Sequence, residues 1–122
     1  MSRSRTQPLL AWQRSLYQDN HTTRASLIIH AVTCPMFIAG NLALIAAPFA
    51  SGWLALSGLV TSAVAMAAQG RAHKMEAVPP VPFDGALDAL SRIFAEQWIT
   101  FPRFVLDGGF AAAWARTRGS AG

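Results

Sequence analysis

The sequence predicts an all-α protein, an integral membrane helical hairpin accompanied by interfacial amphipathic helices, and three observations carry that expectation. Apolar residues make up 52% of the 122-residue chain and charged residues only 13%, where an average soluble domain carries about 25% charged. Residues 25–49 and 53–69 are two runs without a single Asp, Glu, Lys or Arg. Between them, residues 48–52 read Pro-Phe-Ala-Ser-Gly, a reversing segment that is again uncharged. A chain this small has a high surface-to-volume ratio and needs charge to cover itself in water. Part of its surface is therefore expected to face lipid, in a single membrane-embedded helical domain over residues 1–122.

The elements follow in order. Residues 1–7 are polar and expected to be disordered. Across residues 8–19, Leu9, Trp12 and Leu16 recur at helical spacing, and Trp12 and Tyr17 suit the headgroup boundary, so a short interfacial helix is expected there. Residues 20–23 read as a break, with Thr22 or Thr23 able to cap the next helix. The first uncharged run is 25 residues long, against about 20 needed to cross a ~30 Å hydrocarbon core. Pro35 is expected to kink it. The second run is 17 residues, and its helix is expected to extend over residues 53–72. Ser57, Thr61 and Ala65 fall four apart, as do Gly58 and Ser62. Small residues at this spacing let helices approach closely, the expected route to any homo-oligomer.

Arg14 and Arg24 precede the first run and Arg71 and Lys74 close the second, while the connecting turn has no Lys or Arg. Both ends of the hairpin are therefore expected on the cytoplasmic side. Pro79, Pro80 and Pro82 mark an extended connector. Over residues 84–116 Asp84 can cap a helix carrying Leu87, Leu90, Phe94 and Trp98. Pro102 is expected to interrupt it, and Gly108 and Gly109 to break it again. Five charged residues from Asp84 to Arg103 argue against a third simple span and for amphipathic or re-entrant helices.

The net charge is +4, from nine arginines and one lysine. The arginines are scattered singly, and no basic stripe tracks a phosphate backbone, so nucleic acid is not an expected partner. The lone Cys34 excludes an internal disulfide. No glycine-rich phosphate loop and no glycine-flanked serine elbow is present.

The three histidines carry the candidate chemistry. His21 and His30 are nine residues apart, which in one continuous helix points them to opposite faces. They converge only if His21 precedes the helix, where the break at residues 20–23 puts it. A turn centred near residue 50 brings His30 level with Arg71, and His73 lies about half a turn further on. Glu76, three residues after His73, can share its face. Three imidazoles and a carboxylate suit Fe(II) or another first-row divalent metal. A histidine near a membrane interface is also an ordinary amphipathic filler, and spacing alone leaves both readings open.

The same residues resemble a known family. Tyr17-Gln-Asp-Asn-His21, followed by His30 and Pro35, is similar to the Tyr…His…His…Pro signature of the membrane-bound Fe(II)-dependent 2-hydroxy fatty acid dioxygenases of α-oxidation. Gln69-Gly-Arg-Ala-His73-Lys-Met-Glu76-Ala-Val-Pro-Pro80 is similar to that family's later Gln…Gly-His…Glu…Pro motif. The resemblance covers roughly residues 9–105. It departs at Thr22, where the family has a second histidine, at Ser26 for an asparagine, and at Ala72 for a glycine. Glu76 also follows His73 by three residues rather than four. The resemblance implies Fe(II) held by His21, His30, His73 and Glu76. It implies catalysis at the three histidines and removal of C1 as CO2 from a long-chain 2-hydroxy fatty acid by O2. Arg71, Lys74 and Tyr17 are the expected substrate contacts. The alternative is a non-enzymatic small membrane protein acting as a lipid-binding or scaffold subunit; a soluble helical bundle is a third reading.

Overall fold

A computed structural model describes residues 8–17, 21–76 and 80–117. The N-terminal stretch expected to be disordered, the expected end of the first helix near Asp19 and Asn20, and Pro79 of the connector lie outside the described residues. Among the described residues there is no strand; every regular element is helical. Helix α1 spans Leu9–Tyr17, α2 Arg24–Ala46, a 3₁₀ turn Ala47–Phe49, and α3 Gly52–Lys74. Helix α4 spans Ala86–Ala95, a π turn Glu96–Thr100, α5 Phe101–Leu106, and α6 Gly109–Thr117.

Thr23 caps helix α2: its backbone is extended, and its Oγ1 accepts the Ser26 N–H at 3.2 Å, satisfying one of the orphan donors of a helix start. The 3₁₀ turn with Pro48 ends it, and α3 returns alongside. Cross-helix pairs set the antiparallel register: Asn41 Nδ2 donates to Ser62 Oγ at 3.0 Å, and Gln69 Nε2 to Thr33 Oγ1 at 3.0 Å. On α3 the buried residues are Gly58, Ser62, Ala65, Gln69 and Ala72. On α2, Leu27, His30, Cys34, Phe37 and Asn41 are buried. Alternating steps of three and four keep one stripe facing one partner, the pattern of a helix–helix seam. Ser57 is exposed and Thr61 half-exposed, so the stripe that packs is displaced from the Ser57–Thr61–Ala65 row read from spacing alone.

At the seam's far end Gly40 and Gly58 let the backbones meet. A Cβ built on Gly58 would lie 2.5 Å from the Gly40 carbonyl oxygen. Outside the seam, both helices leave much apolar surface exposed, including Ile28, Val32, Leu42 and Ile45 on α2 and Leu56, Leu59, Val60 and Val64 on α3. Two stretches, Arg24–Phe49 and Gly52–Lys74, are long and apolar enough to cross a membrane, with mean hydropathy 1.8 and 1.3 and only 33% and 22% of their most apolar windows buried. A soluble core helix of this composition buries most of such a surface.

Beyond the helix pair, Phe101, Phe104 and Ala113 join Tyr17, Leu27 and Cys34 in the core, but α4 and the turn after it show the opposite pattern. Leu87, Leu90, Phe94 and Leu106 are exposed, while Gln97 and Thr100 are buried against the helix pair. Gln69 and Gln97 exchange two amide hydrogen bonds, at 2.8 and 2.6 Å, and Trp98 Nε1 donates to Asn41 Oδ1 at 3.0 Å. Pro102 does not interrupt the helix, contrary to the expectation from sequence. The preceding turn widens instead: the Phe101 N–H reaches back five residues to the Glu96 carbonyl, giving the proline ring room that a regular α-turn lacks. The chain does turn at Asp107 and Gly108, where Gly108 takes φ +86°. Arg14 then grips the Asp107 carboxylate through two hydrogen bonds at 2.9 and 3.0 Å, tying α1 to this turn.

Gly58→Leu is expected to force the seam apart and cost about 2 kcal/mol or more, whereas Gly52→Ala, where an added Cβ meets nothing within 4 Å, leaves stability unchanged. Thermal unfolding of the two variants in detergent, followed by circular dichroism, checks this.

Candidate metal centre

Four donors converge where α1, α2, α3 and the π turn meet. One ligand atom each from His21, His30, His73 and Glu96 lies within 4.8 Å of the others. His21 precedes α2, His30 sits on its second turn, His73 closes α3, and Glu96 opens the π turn. His21 Nε2 and His30 Nε2 are 3.3 Å apart. Glu96 Oε2 is 3.9 Å from the first and 3.8 Å from the second. The His73 ring stands 5.1 Å from His30 and 5.3 Å from His21, centroid to centroid.

The outer nitrogens decide what the inner ones are. His21 Nδ1 faces the Tyr17 carbonyl at 2.7 Å, and His30 Nδ1 faces the Ser26 carbonyl at 2.9 Å. A carbonyl only accepts, so each Nδ1 carries the proton and each Nε2 of a neutral ring presents a lone pair inward. Tyr17 donates its hydroxyl to Glu96 Oε2 at 2.9 Å, so that oxygen is also an acceptor. His73 Nδ1 is buried with no hydrogen-bond partner. The Nε2 atoms of His21 and His30 thus face each other as acceptors, and His73 Nδ1 has no partner, which is costly for buried polar atoms. A cation resolves it. Two ligand atoms each about 2.0–2.2 Å from a first-row metal sit roughly 3.0–3.5 Å apart, and the spacing of the two Nε2 atoms matches.

The surroundings act on the same groups. Burial first, then the neighbouring His30 ring, holds His21 well below the ordinary histidine value, keeping it neutral as a metal ligand requires. Burial pushes the Glu96 carboxyl up to about 7, against the opposing Tyr17 hydrogen bond and the Arg92 charge. Burial and the adjacent Glu96 also raise the Tyr17 phenol, so it stays a donor. Tyr17 stacks on His21 at 3.9 Å and 15°. Carbonyls behind two histidines and a phenol behind the carboxylate form the kind of outer shell that orients metal ligands.

The structure brings His21, His30 and His73 together; it places Glu76 elsewhere. Helix α3 ends at Lys74, and Glu76 lies beyond it in a turn, so it no longer shares the face of His73. Its carboxylate accepts from the N–H and Oγ1 of Thr22 at 2.8 and 2.6 Å, and from those of Thr23 at 3.2 and 3.1 Å. Four donors leave it no free lone pair for a metal. Tyr17 stands beside the donors as a positioning group, and it also lines a cleft of about 580 Å³ that reaches His21, His73, Glu96 and Lys74. Arg71 is exposed and does not line that cleft. Glu96 is not among the expected ligands because the sequence sets it apart from the apolar row of Leu87, Leu90, Phe94 and Trp98 and gives no spacing that ties it to the histidines. Its signal is there nonetheless: Glu96 and Gln97 interrupt the apolar stretch Ile93-Phe-Ala and Trp98-Ile, and polar residues in such surroundings need inward partners.

No protein-family model, no curated protein and no solved structure matches the chain. The protein is therefore placed by its own architecture, as an all-helical chain with two candidate membrane-spanning helices and a His₃Glu cluster.

Two outcomes follow for purified protein. Glu96→Gln is expected to weaken divalent-metal affinity about 10- to 100-fold while Glu76→Gln leaves it unchanged, measured by competition with a metallochromic chelator. Burial would raise the Glu76 carboxyl, but the threonine hydrogen bonds outweigh it and hold its pKa below the ordinary value. Its stabilisation is therefore present above the ordinary glutamate range and lost as pH falls through the lowered value. In metal-free protein, Glu76→Gln should flatten that acid limb of stability; an unchanged limb assigns it to other carboxyls.

Proposed function

We propose that this protein is a membrane-embedded Fe(II)-dependent dioxygenase that shortens a long-chain 2-hydroxy fatty acid by one carbon, releasing CO2. The observation that carries the reading is the convergence of His21, His30, His73 and Glu96 at the wall of a mostly apolar cleft. Histidines with one carboxylate and an open side are the donor set of non-haem Fe(II) oxygenases. The family resemblance of the Tyr17–Pro35 and Gln69–Pro80 motifs supports the same chemistry, with Glu96 standing where Glu76 was expected among the ligands.

In this reading α2 and α3 form a transmembrane hairpin with both ends cytoplasmic, and α1 and α4 to α6 lie at the cytoplasmic interface. The apolar faces left uncovered on α2, α3 and α4 support it, because in water they would make a large exposed patch. The cluster then lies at the depth where a fatty acid's carboxylate meets its hydrocarbon tail.

The reaction balances without an outside reductant: RCH(OH)COOH and O2 give RCOOH, CO2 and H2O, with the substrate supplying all four electrons. Fe(II), when bound, supplies a Lewis acid for the hydroxycarboxylate and the one-electron chemistry that O2 needs to react with a closed-shell molecule. The chain's residues do the rest. The Tyr17 and Ser26 carbonyls hold two imidazoles in the ligating tautomer, Tyr17 fixes the Glu96 carboxylate, and Lys74 at the cleft supplies a cation for the substrate's acid group. Burial of the histidines keeps bulk water from the reacting carbon.

Purified protein loaded with Fe(II) is expected to release labelled CO2 from [1-¹⁴C]2-hydroxypalmitate in the presence of O2, and none from palmitate. His30→Ala and Glu96→Gln should each lower the rate at least 100-fold. Iron bound at one per chain without CO2 release would sink the reaction while leaving the metal centre; absence of both would favour the lipid-binding or scaffold alternative.

A further inference from the structure

The cleft beside the metal centre has a directional wall. Met66, Gly70 and Lys74 of α3 all line it, and residues four apart lie one above another on a helix. The row runs about 12 Å along the axis from Lys74 to Met66, away from the charged end of α3 and into its apolar span. His73 and Glu96 open onto the same cleft beside the upper half of the row. Lys74 is exposed and makes no hydrogen bond or ion pair with a described residue. The other cation at the cleft, Arg92, is engaged by the Pro82 and Val81 carbonyls at 3.0 and 2.7 Å and by Asp88. A Cβ on Gly70 would meet nothing within 4 Å, so this glycine is not there for helix packing, unlike Gly40 and Gly58. It leaves that stretch of the cleft wall without a side chain. Across from the row, Trp12, Leu16 and Ile93 offer apolar walls.

A cation unpaired among the described residues at the mouth, an open stretch beside the metal ligands and an apolar end lined by a flexible thioether fit one occupant, a single-chain carboxylate inserted head-outward. We propose that the Met66–Gly70–Lys74 row determines specificity for that ligand. Lys74 pairs with the carboxylate, the missing side chain at Gly70 lets the first methylenes pass the histidines, and Met66 sets how deep the chain runs. The inference rests on the reading of the site as one that handles lipid carboxylates, and its test is independent of turnover.

The test is binding of ¹⁴C-labelled 2-hydroxylaurate and 2-hydroxypalmitate to Fe(II)-free protein in phosphatidylcholine nanodiscs, corrected for empty nanodiscs, with metal affinity measured in parallel. Gly70→Leu is expected to weaken both acids at least 10-fold with metal affinity unchanged, and Lys74→Ala to weaken both about fivefold. Met66→Ala should shift the ratio of affinities toward the longer acid, and Met66→Trp toward the shorter, each by threefold or more. Wild-type binding in Gly70→Leu, or a chain-length ratio indifferent to Met66, overturns the proposal. So does binding of neither acid above the empty disc, which would point to phospholipid or nothing in the cleft. Lipid binding that follows these variants in a protein with no metal affinity supports the cleft and removes the dioxygenase reading instead.

Discussion

Two imidazole nitrogens 3.3 Å apart, each with its proton committed to a carbonyl on the far side of its ring, are the constraint to which the rest of the site answers. Facing lone pairs at that distance repel, and burial removes the water that would otherwise separate them. The Glu96 oxygen is too far from either for a hydrogen bond and is itself occupied in accepting one from Tyr17. Protonating one histidine would supply a donor, but burial disfavours the charged form of His21. A divalent cation satisfies every atom at once, and metal binding would then contribute directly to the stability of the fold.

That constraint depends on the seam. His30 and His73 are far apart in sequence and meet because residues buried at steps of three and four on α2 and α3 keep one face of each helix on the other. Gly40 and Gly58 set the closest approach at one end. Polar pairs along the seam, Asn41 with Ser62 and Thr33 with Gln69, fix register where apolar contacts alone would allow sliding. In lipid such pairs specify geometry more than they stabilise. A shift of one residue along α3 would rotate His73 by about 100° and take it out of the cluster.

Much of this was legible in the sequence, and the limits are physical. The two uncharged runs and their uncharged turn are long-range composition signals, so the helix pair could be read directly. The start of α2 was readable because Thr22 and Thr23 are capping residues, and His21, lying ahead of that start, is free to face His30. Glu76 and Glu96 were not separable by spacing. Assigning Glu76 to the metal required α3 to continue past Lys74, and sequence periodicity does not show where four threonine donors will draw a carboxylate away. Assigning Glu96 required knowing which face of α4 turns inward. The sequence shows which residues form the apolar row but not whether that row faces the protein or lies outward. Leu87, Leu90 and Phe94 face outward, and Gln97 and Thr100 beyond them are the ones that pack.

The π turn links this inversion to the chemistry. Along α4 the partly buried positions centre near Ala89 and Ile93; beyond it the buried ones are Gln97, Thr100, Phe101 and Phe104. In a regular helix these two sets are offset by only about 50°, so both fall within one broad stripe. The Glu96–Thr100 turn carries the chain through that stripe in the wider π form, with the Phe101 N–H bonded to the Glu96 carbonyl. It lets Glu96 reach the histidines while Gln97 meets Gln69 and Phe104 enters the core beside Tyr17. Turns of this kind weaken local hydrogen bonding and persist where the misplaced alternative costs more. Here the alternative is a carboxylate turned away from three imidazoles, which would leave the acceptors of His21 and His30 facing each other with nothing between them.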